Sequence, residues 1–142
     1  MPNPRPTPDF RQILGVRFFV GDASGAIEGL ANGGLLVVPA APALRNLAHD
    51  VAYREALLGA DIAIADSSLM VMLWNFMQRD NIRRLSGLEY LAELLRRPDV
   101  REPGKTFWIM PNPGSAARNL AWLRKQSIEV LPEDVYLAPV YQ

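Results

Sequence analysis

The chain has 142 residues, of which 49% are hydrophobic and 21% charged, and this composition is typical of a folded globular protein rather than a disordered one. Fifteen basic residues balance fifteen acidic ones, so there is no overall positive charge that would attract nucleic acid. Cysteine is absent and His49 is the single histidine, which excludes disulfides and thiolate metal sites. We therefore expect no nucleic-acid partner, no bound metal and no cofactor.

The first ten residues, MPNPRPTPDF, contain four prolines and predict a mobile tail over 1–10. The remainder, 11–142, is predicted to be a single α/β domain. Short apolar segments indicate a strand or hairpin arm over 13–20 and strands over 35–38, 61–65, 106–110 and 128–130. Helices are predicted between them, over 23–31, 42–58 with an interruption, 68–79, 87–97 and 113–126. This alternation predicts a Rossmann-like layered sandwich with a mainly parallel sheet.

Ligands of such folds collect at the carboxyl ends of the strands. Three predicted strand ends carry residues of interest, namely Val38-Pro39-Ala40, Ala65-Asp66-Ser67 and the loop that follows Met110. Asp66 has two interpretations: it caps the helix that follows, or its carboxylate faces the ligand cleft as a general base. The two are compatible if Ser67 or Ser68 supplies the cap.

The loop Pro111-Asn112-Pro113-Gly114-Ser115 joins a predicted strand to a predicted helix. Free N–H groups at that helix N-terminus suit an anion such as a diphosphate, although an ordinary strand-to-helix turn explains the same residues. Arg83 and Arg84 would make a diphosphate clamp, or a pair of solvated cations. A dinucleotide-binding protein is disfavoured because a GxGxxG fingerprint is missing.

Taken in order, these segments resemble the WecG/TagA/CpsF family of bacterial glycosyltransferases. The likeness covers nearly the whole chain after residue 11. The segments of this chain that carry the likeness are the opening Ile-Leu-Gly-Val, Val37 to Pro42, Tyr53 to Asp61, Ile64 to Ser68, the element Arg84-Leu85-Ser86-Gly87 with Glu89, and Phe107 to Gly114. Ile64 to Ser68 occupies the place of the family's P-D-G-x-G motif, which puts the family's catalytic aspartate on Asp66.

The resemblance implies an inverting, metal-independent transfer of a sugar, often of the N-acetylmannosamine type, from a UDP donor. It implies as acceptor a sugar on a polyprenyl diphosphate lipid, used in bacterial surface or exopolysaccharide synthesis. The implied location is the cytoplasm, in peripheral contact with the inner membrane face; self-association into a homo-oligomer stays open. Asp66 would be the base, and the residues expected to bind substrate are Val38, Ala40, Ser67, Arg84, Asn112 and Gly114.

The sequence also departs from the family pattern. The family's threonine and asparagine near the acceptor fall on Val38 and Ala40, whose side chains cannot form hydrogen bonds. The family continues beyond the point that corresponds to Gln142, so we expect the chain to be truncated at its C-terminus, with a naturally reduced member as the alternative. An alternative function is therefore a catalytically weakened module of the same fold that binds nucleotide sugars or assembles with a partner.

Overall fold

The computed structural model describes residues 9–140, apart from the side chain of Ala43. The chain divides into two compact units, one reaching to Glu93 and the other beginning at Leu94. In the first unit lie the strands β1 (Asp9–Ile13), β2 (Val16–Val20), β3 (Leu36–Val37) and β4 (Ile62–Ile64), and the helices α1 (Ala23–Gly29), α2 (Ala41–Arg45), α3 (Val51–Leu58) and α4 (Ser68–Gln78). The helix α5 (Gly87–Leu94) also belongs to the first unit except for its last residue. In the second lie β5 (Trp108–Met110), β6 (Val135–Leu137), α6 (Pro98–Arg101), α7 (Pro113–Lys125) and a 3₁₀ turn, Pro132–Asp134.

The four strands of the first unit form one sheet in the order β1-β2-β4-β3. β2 and β3 both run parallel to β4, with Phe18 opposite Ala63 and Leu36 opposite Ile62. β1 is antiparallel to β2 at the edge. The predicted α/β class with a mainly parallel sheet is confirmed, while the finer assignment as a Rossmann-like sandwich stays a prediction.

Helices cover both faces of this sheet. Because successive side chains of a strand point to opposite faces, alternate residues of β4 pack in two different cores. Ile62 and Ile64 pack with Ala23 and Ala26 of α1 on one face. Ala63 and Ala65 belong to the other core, which contains Leu44, Leu47, Leu57 and Val71 from the segments of α2, α3 and α4. Burial on both faces explains why β4 is wholly apolar. The first polar residue after the strand is Asp66.

The segment over 13–20, predicted as a strand or a hairpin arm, contains a turn. Leu14, with φ of 52°, and Gly15, with φ of 81°, reverse the chain so that β1 and β2 pair as a hairpin. Asp9 and Phe10 consequently lie in β1, and the rest of the tail predicted over 1–10 falls outside the described residues. A single domain over 11–142 stays a prediction.

The second unit has its own parallel pair of strands, in which Ile109 of β5 lies opposite Tyr136 of β6. The strand predicted over 128–130 is wrong. Ile128 is instead a core residue that packs with Leu95 and Leu123, and the strand that pairs with β5 begins only at Val135. Among the residues that the structure describes, no helix has the length and apolar character that crossing a membrane requires.

Asp80 fastens the end of α4 to the first strand. Its Oδ2 accepts hydrogen bonds from Arg11 Nε at 2.6 Å and from Trp74 Nε1 at 3.0 Å. The bond from Arg11, followed by those from Trp74 and from the Asn81 N–H, lowers the pKa of Asp80 from 3.8 to about 2. The folded state therefore prefers the ionised carboxylate, and this preference makes stability depend on pH.

Substitution Asp80→Asn is expected to flatten the acid limb of the stability profile. The contribution of Asp80 is fully present above pH 3.8, the value of the unfolded chain, and is lost as the pH falls toward about 2. Urea unfolding at a series of pH values should thus show wild type losing stability across this window more steeply than the variant. Glu28→Gln, at an exposed acid without a described side-chain partner, is the control and should keep the wild-type slope. Identical slopes in Asp80→Asn and wild type would contradict the assignment.

Candidate functional site

Asp66 stands at the carboxyl end of β4, where the buried sheet gives way to solvent. Ala65 before it is buried, whereas the Asp66 side chain is 31% exposed. The strand is a central one in the sheet, so its end lies between those of β2 and β3, to both of which it runs parallel. This is the position at which open α/β sheets place ligands.

Ser67, rather than Asp66, caps the helix that follows. The Ser67 hydroxyl accepts a hydrogen bond from the Met70 N–H at 3.2 Å, and Ser67 has the extended backbone of an N-cap. The prediction that a serine supplies the cap is confirmed. Because the helix does not use the Asp66 carboxylate, that carboxylate is left for another role.

Arg84 holds the Asp66 carboxylate. Its Nη2 donates to Asp66 Oδ1 at 2.8 Å, and its Nε donates both to Oδ1 at 3.2 Å and to the Asp66 main-chain oxygen at 2.6 Å. The guanidinium is 44% exposed, and an exposed ion pair of this kind contributes only about 0.2–1 kcal/mol to stability. Its larger effect is geometric: three hydrogen bonds from one planar group fix the orientation of Asp66 and leave Oδ2 without a donor among the described residues.

The segment that carries Arg84 is itself fastened by an asparagine of α4. The Asn75 amide donates to the Ile82 carbonyl and accepts from the Ile82 N–H, both at 2.9 Å. Leu85 N–H then donates to the Ala65 carbonyl at 3.3 Å, next to Asp66. Sequence analysis missed Asn75, although its signal was present as the one amide in the apolar run from Leu69 to Met77.

Gly87 lies next to both Val38 and the Asp66 carboxylate. A Cβ placed on Gly87 would lie 2.9 Å from Val38 Cγ1 and 3.5 Å from Asp66 Oδ2, so the first residue of α5 approaches both. The structure therefore brings together Asp66, Arg84 and Val38, with Ser67 beside them. Ala40 is also exposed beyond β3, and its carbonyl accepts a hydrogen bond from the Leu44 N–H at 3.1 Å.

Substitution Gly87→Ala is expected to lower activity without unfolding the chain. The new methyl group would overlap Val38 and displace it or the α5 N-terminus, and a displacement approaching 1 Å at a catalytic group costs roughly tenfold to a hundredfold in rate. Steady-state kinetics of the reaction that the resemblance implies measure the effect. Gly29→Ala is the matched control, because its Cβ would meet Ile62 Cδ1 at the same 2.9 Å but away from Asp66. Equal losses in both variants would show that the site at Gly87 has no special role.

Asn112 and Gly114 belong to the second unit, which is described by itself. Asn112 Oδ1 caps α7 by accepting from the Ser115 N–H at 2.8 Å, and Gly114 is exposed in the first turn. Arg118, which sequence analysis missed, donates to Ser115 Oγ at 3.1 Å. Its signal is the spacing of four residues from Gly114, since this places a cation on the face of the helix above its first turn.

The described part of the chain has no cluster of side chains that could bind a metal ion together. Between residues 9 and 140, no group of three or more histidine, aspartate or glutamate side chains is arranged to hold a metal ion. His49 makes no such cluster, and its neighbour Asp50 caps α3 by accepting from the Tyr53 N–H at 2.9 Å.

A comparison with protein families gives a match over most of the chain. The model of the glycosyl transferase WecG/TagA/CpsF family matches residues 11–131. The chain belongs to the WecG/TagA/CpsF family. No curated protein and no solved structure shows a significant similarity to it.

Membership in the WecG/TagA/CpsF family makes the protein a glycosyltransferase of cell-surface polymer synthesis. The matched range contains Asp66 and its partner Arg84, and it extends into the second unit to include Asn112 and Gly114. The resemblance inferred from the sequence is thereby confirmed at the level of the family. The assignment of individual residues to catalysis and binding remains a proposal.

Proposed function

We propose that this WecG/TagA/CpsF family member moves a sugar of the N-acetylmannosamine type from a UDP donor to a sugar carried on a polyprenyl diphosphate. The reaction inverts the anomeric centre, needs no metal, and takes place in the cytoplasm at the inner membrane face. The observation that carries this proposal is the Asp66 carboxylate at a strand end, which is oriented by Arg84 and whose Oδ2 accepts no hydrogen bond from residues 9–140.

In the proposed reaction, Asp66 Oδ2 accepts the proton of an acceptor hydroxyl while that oxygen forms a bond to the anomeric carbon of the donor. The bond between the anomeric carbon and the diphosphate oxygen breaks, and its electron pair leaves with UDP. Attack from the face opposite the leaving group gives inversion. A general base of this kind contributes about 10²–10⁴-fold to the rate.

The guanidinium of Arg84 can donate hydrogen bonds to two different groups in this scheme. Nε and Nη2 orient Asp66, while Nη1 makes no hydrogen bond with the described residues and is available to the departing diphosphate. Taken by themselves, Asn112 and Gly114 at the N-terminus of α7 in the second unit are assigned to substrate binding, because the free N–H groups there favour an anion. Val38, Ala40 and Ser67 are assigned to the acceptor sugar.

A second candidate function is a binding or assembly module that has lost catalysis. The aliphatic side chains of Val38 and Ala40, both exposed at the end of β3, favour it because neither can donate or accept a hydrogen bond from a sugar. Calorimetric titration with UDP and UDP-sugars separates the two candidates. Binding without release of UDP when acceptor is present would favour the module.

The proposed transfer is tested with the full-length protein, UDP-N-acetylmannosamine and a lipid-linked sugar acceptor, in the presence of a metal chelator. We expect UDP to be released in step with a disaccharide product, and proton NMR of that product to show the anomeric configuration opposite to the donor's. A product with retained configuration would overturn the inverting mechanism. Abolition of transfer by the chelator, with recovery on adding a divalent cation, would overturn the metal-independent one.

A further inference from the structure

An apolar pocket lies along α4 in the first unit, with a volume of about 430 Å³. That volume falls within the range of roughly 300–1,000 Å³ that is usual for small-molecule sites. Most of the lining is aliphatic or aromatic, and its main contributors are Leu14, Leu69, Met70, Leu73, Trp74 and Met77. A ligand for this pocket must therefore be largely hydrocarbon.

The pocket begins beside the candidate site. Ser67 and Ala41 belong to its lining, and they directly follow Asp66 and Ala40, which lie in the loops after β4 and β3. From Ser67 the lining continues along α4 as far as Gln78, a helical distance of about 16 Å. An extended hydrocarbon chain lying here would have one end next to the carboxylate of Asp66.

One charged side chain, Arg45, takes part in the lining. In the described part of the chain, Arg45 has no ion-pair or side-chain hydrogen-bond partner. An unpaired guanidinium at the wall of an apolar pocket is complementary to the anionic head of an amphiphile. Arg45 lies at the last position of α2, whose first residue is Ala41, so it stands within about 6 Å along the helix axis of the end nearer the site.

Leu14 supplies an independent sign that the pocket is occupied in function. Its φ of 52° lies in the left-handed region, where leucine is disfavoured and asparagine or glycine is usual in a hairpin turn. The side chain gains little from burial in return, since it is 70% exposed. A strained, exposed leucine that lines a pocket is explained if the side chain contacts a ligand.

We infer that this pocket binds the first isoprene units of the lipid-linked acceptor, with the diphosphate of the lipid against Arg45. The inference rests on the proposed function, because that function supplies a polyprenyl diphosphate as the acceptor's carrier. It adds a place for the lipid: the hydrocarbon follows α4 while the acceptor sugar reaches Asp66. Both the apolar lining and the single cation match this one ligand.

Calorimetric titration with isoprenyl diphosphates of increasing length tests the inference without needing turnover. Each methylene buried in the pocket should tighten binding by roughly fourfold. Farnesyl diphosphate is accordingly expected to bind at least tenfold more tightly than inorganic diphosphate, with geranyl diphosphate between them. Equal affinities for all three, or equally tight binding of dodecanoate, would overturn the inference.

Three variants locate the bound chain. Met77→Gln is expected to weaken farnesyl diphosphate binding by roughly fivefold, whereas Met72→Gln, on the same helix and outside the lining, should leave it unchanged. Leu14→Asn should weaken binding by a similar factor while raising the melting temperature, because asparagine tolerates the left-handed turn. Arg45→Gln should weaken farnesyl diphosphate by roughly tenfold. Equal effects of Met77→Gln and Met72→Gln would place the ligand elsewhere and overturn the inference.

The outcomes separate this inference from the proposed function. Length-dependent binding that is lost in Met77→Gln supports the pocket even if no UDP-sugar is turned over, in which case the proposed transfer fails alone. Sugar transfer that proceeds at the same rate on acceptors with long and short lipids, in wild type and in Met77→Gln, would leave the transfer standing and overturn the pocket. A dimer in sedimentation that Met77→Gln separates into monomers would show that a second copy of the chain covers these residues. That result would also overturn the inference.

Discussion

Asp66→Asn in the full-length protein is expected to lower kcat for sugar transfer by about 10²–10⁴-fold. The amide has the shape of the carboxylate, and its oxygen can still accept the hydrogen bonds of Arg84, but it cannot take up the proton of the acceptor hydroxyl. Binding of the UDP donor should change little. Initial rates of UDP release with a lipid-linked acceptor, together with calorimetric affinity for UDP, measure both quantities.

Asp22→Asn is the matched control for this experiment. Asp22 caps α1 by accepting from the Gly25 N–H at 2.8 Å, and asparagine is an equally good capping residue. This variant should therefore transfer sugar at the wild-type rate and unfold at the wild-type temperature. Transfer at the wild-type rate by Asp66→Asn would remove Asp66 from its role as base.

Phe18→Ala is expected to cost about 3–5 kcal/mol in the free energy of unfolding. Phe18 is completely buried in β2, one of the two central strands, and packs in the core that also contains Val71 of α4. Since a domain is stable by only about 5–15 kcal/mol, this loss should leave the variant close to unfolding at 25 °C. Urea denaturation followed by circular dichroism measures the loss.

The control is Phe76→Ala, because Phe76 is 84% exposed on α4. Its removal should change the free energy of unfolding by no more than about 0.5 kcal/mol. A loss below about 1 kcal/mol for Phe18→Ala would mean that the core relaxes around the cavity, contrary to the packing described.

Local chemistry explains what could be predicted of the fold. Asp22, Asp50, Ser67 and Asn112 each precede a helix and each accept a hydrogen bond from the N–H three residues later. This requires only a short stretch of chain, so residue type and spacing suffice to place the starts of α1, α3, α4 and α7 to within a residue or two.

Pairing between distant segments explains what could not be predicted. Gly15 is the one residue of Ile13 to Val20 that favours a turn, and a single glycine in a strand pattern also fits a bulge. Its neighbour Leu14 gives no such signal, because leucine does not favour a left-handed conformation. Likewise Ile128 is apolar because it is buried against Leu123, whereas a strand requires a partner, and β5 finds its partner at Val135. Apolar character reports burial and does not identify the neighbour.

The candidate site shows the same division. The position of Asp66 at a strand end followed from the order of the apolar segments, and the structure agrees with it. The contact between Arg84 and Asp66 spans 18 residues and depends on how α4 returns the chain, so the sequence indicated a basic residue without its partner. Gly87 was noted as part of a motif, but its closeness to Val38 required coordinates.

The hydrogen bonds of Asn75, Arg84 and Leu85 together make residues 65–85 a closed ring. The ring leaves the sheet at Ala65, passes through α4, is bridged midway by the Asn75 amide, and returns to its starting point where Leu85 bonds to Ala65 and Arg84 to Asp66. If Arg84 releases Asp66, the hydrogen bonds of Asn75 and Leu85 still hold the segment in place. We therefore expect the segment to open only when all of these bonds break together. The Ile82 and Leu85 amide hydrogens should accordingly exchange with solvent as one cooperative group, and the Asp66 carboxylate should be as rigid as that group.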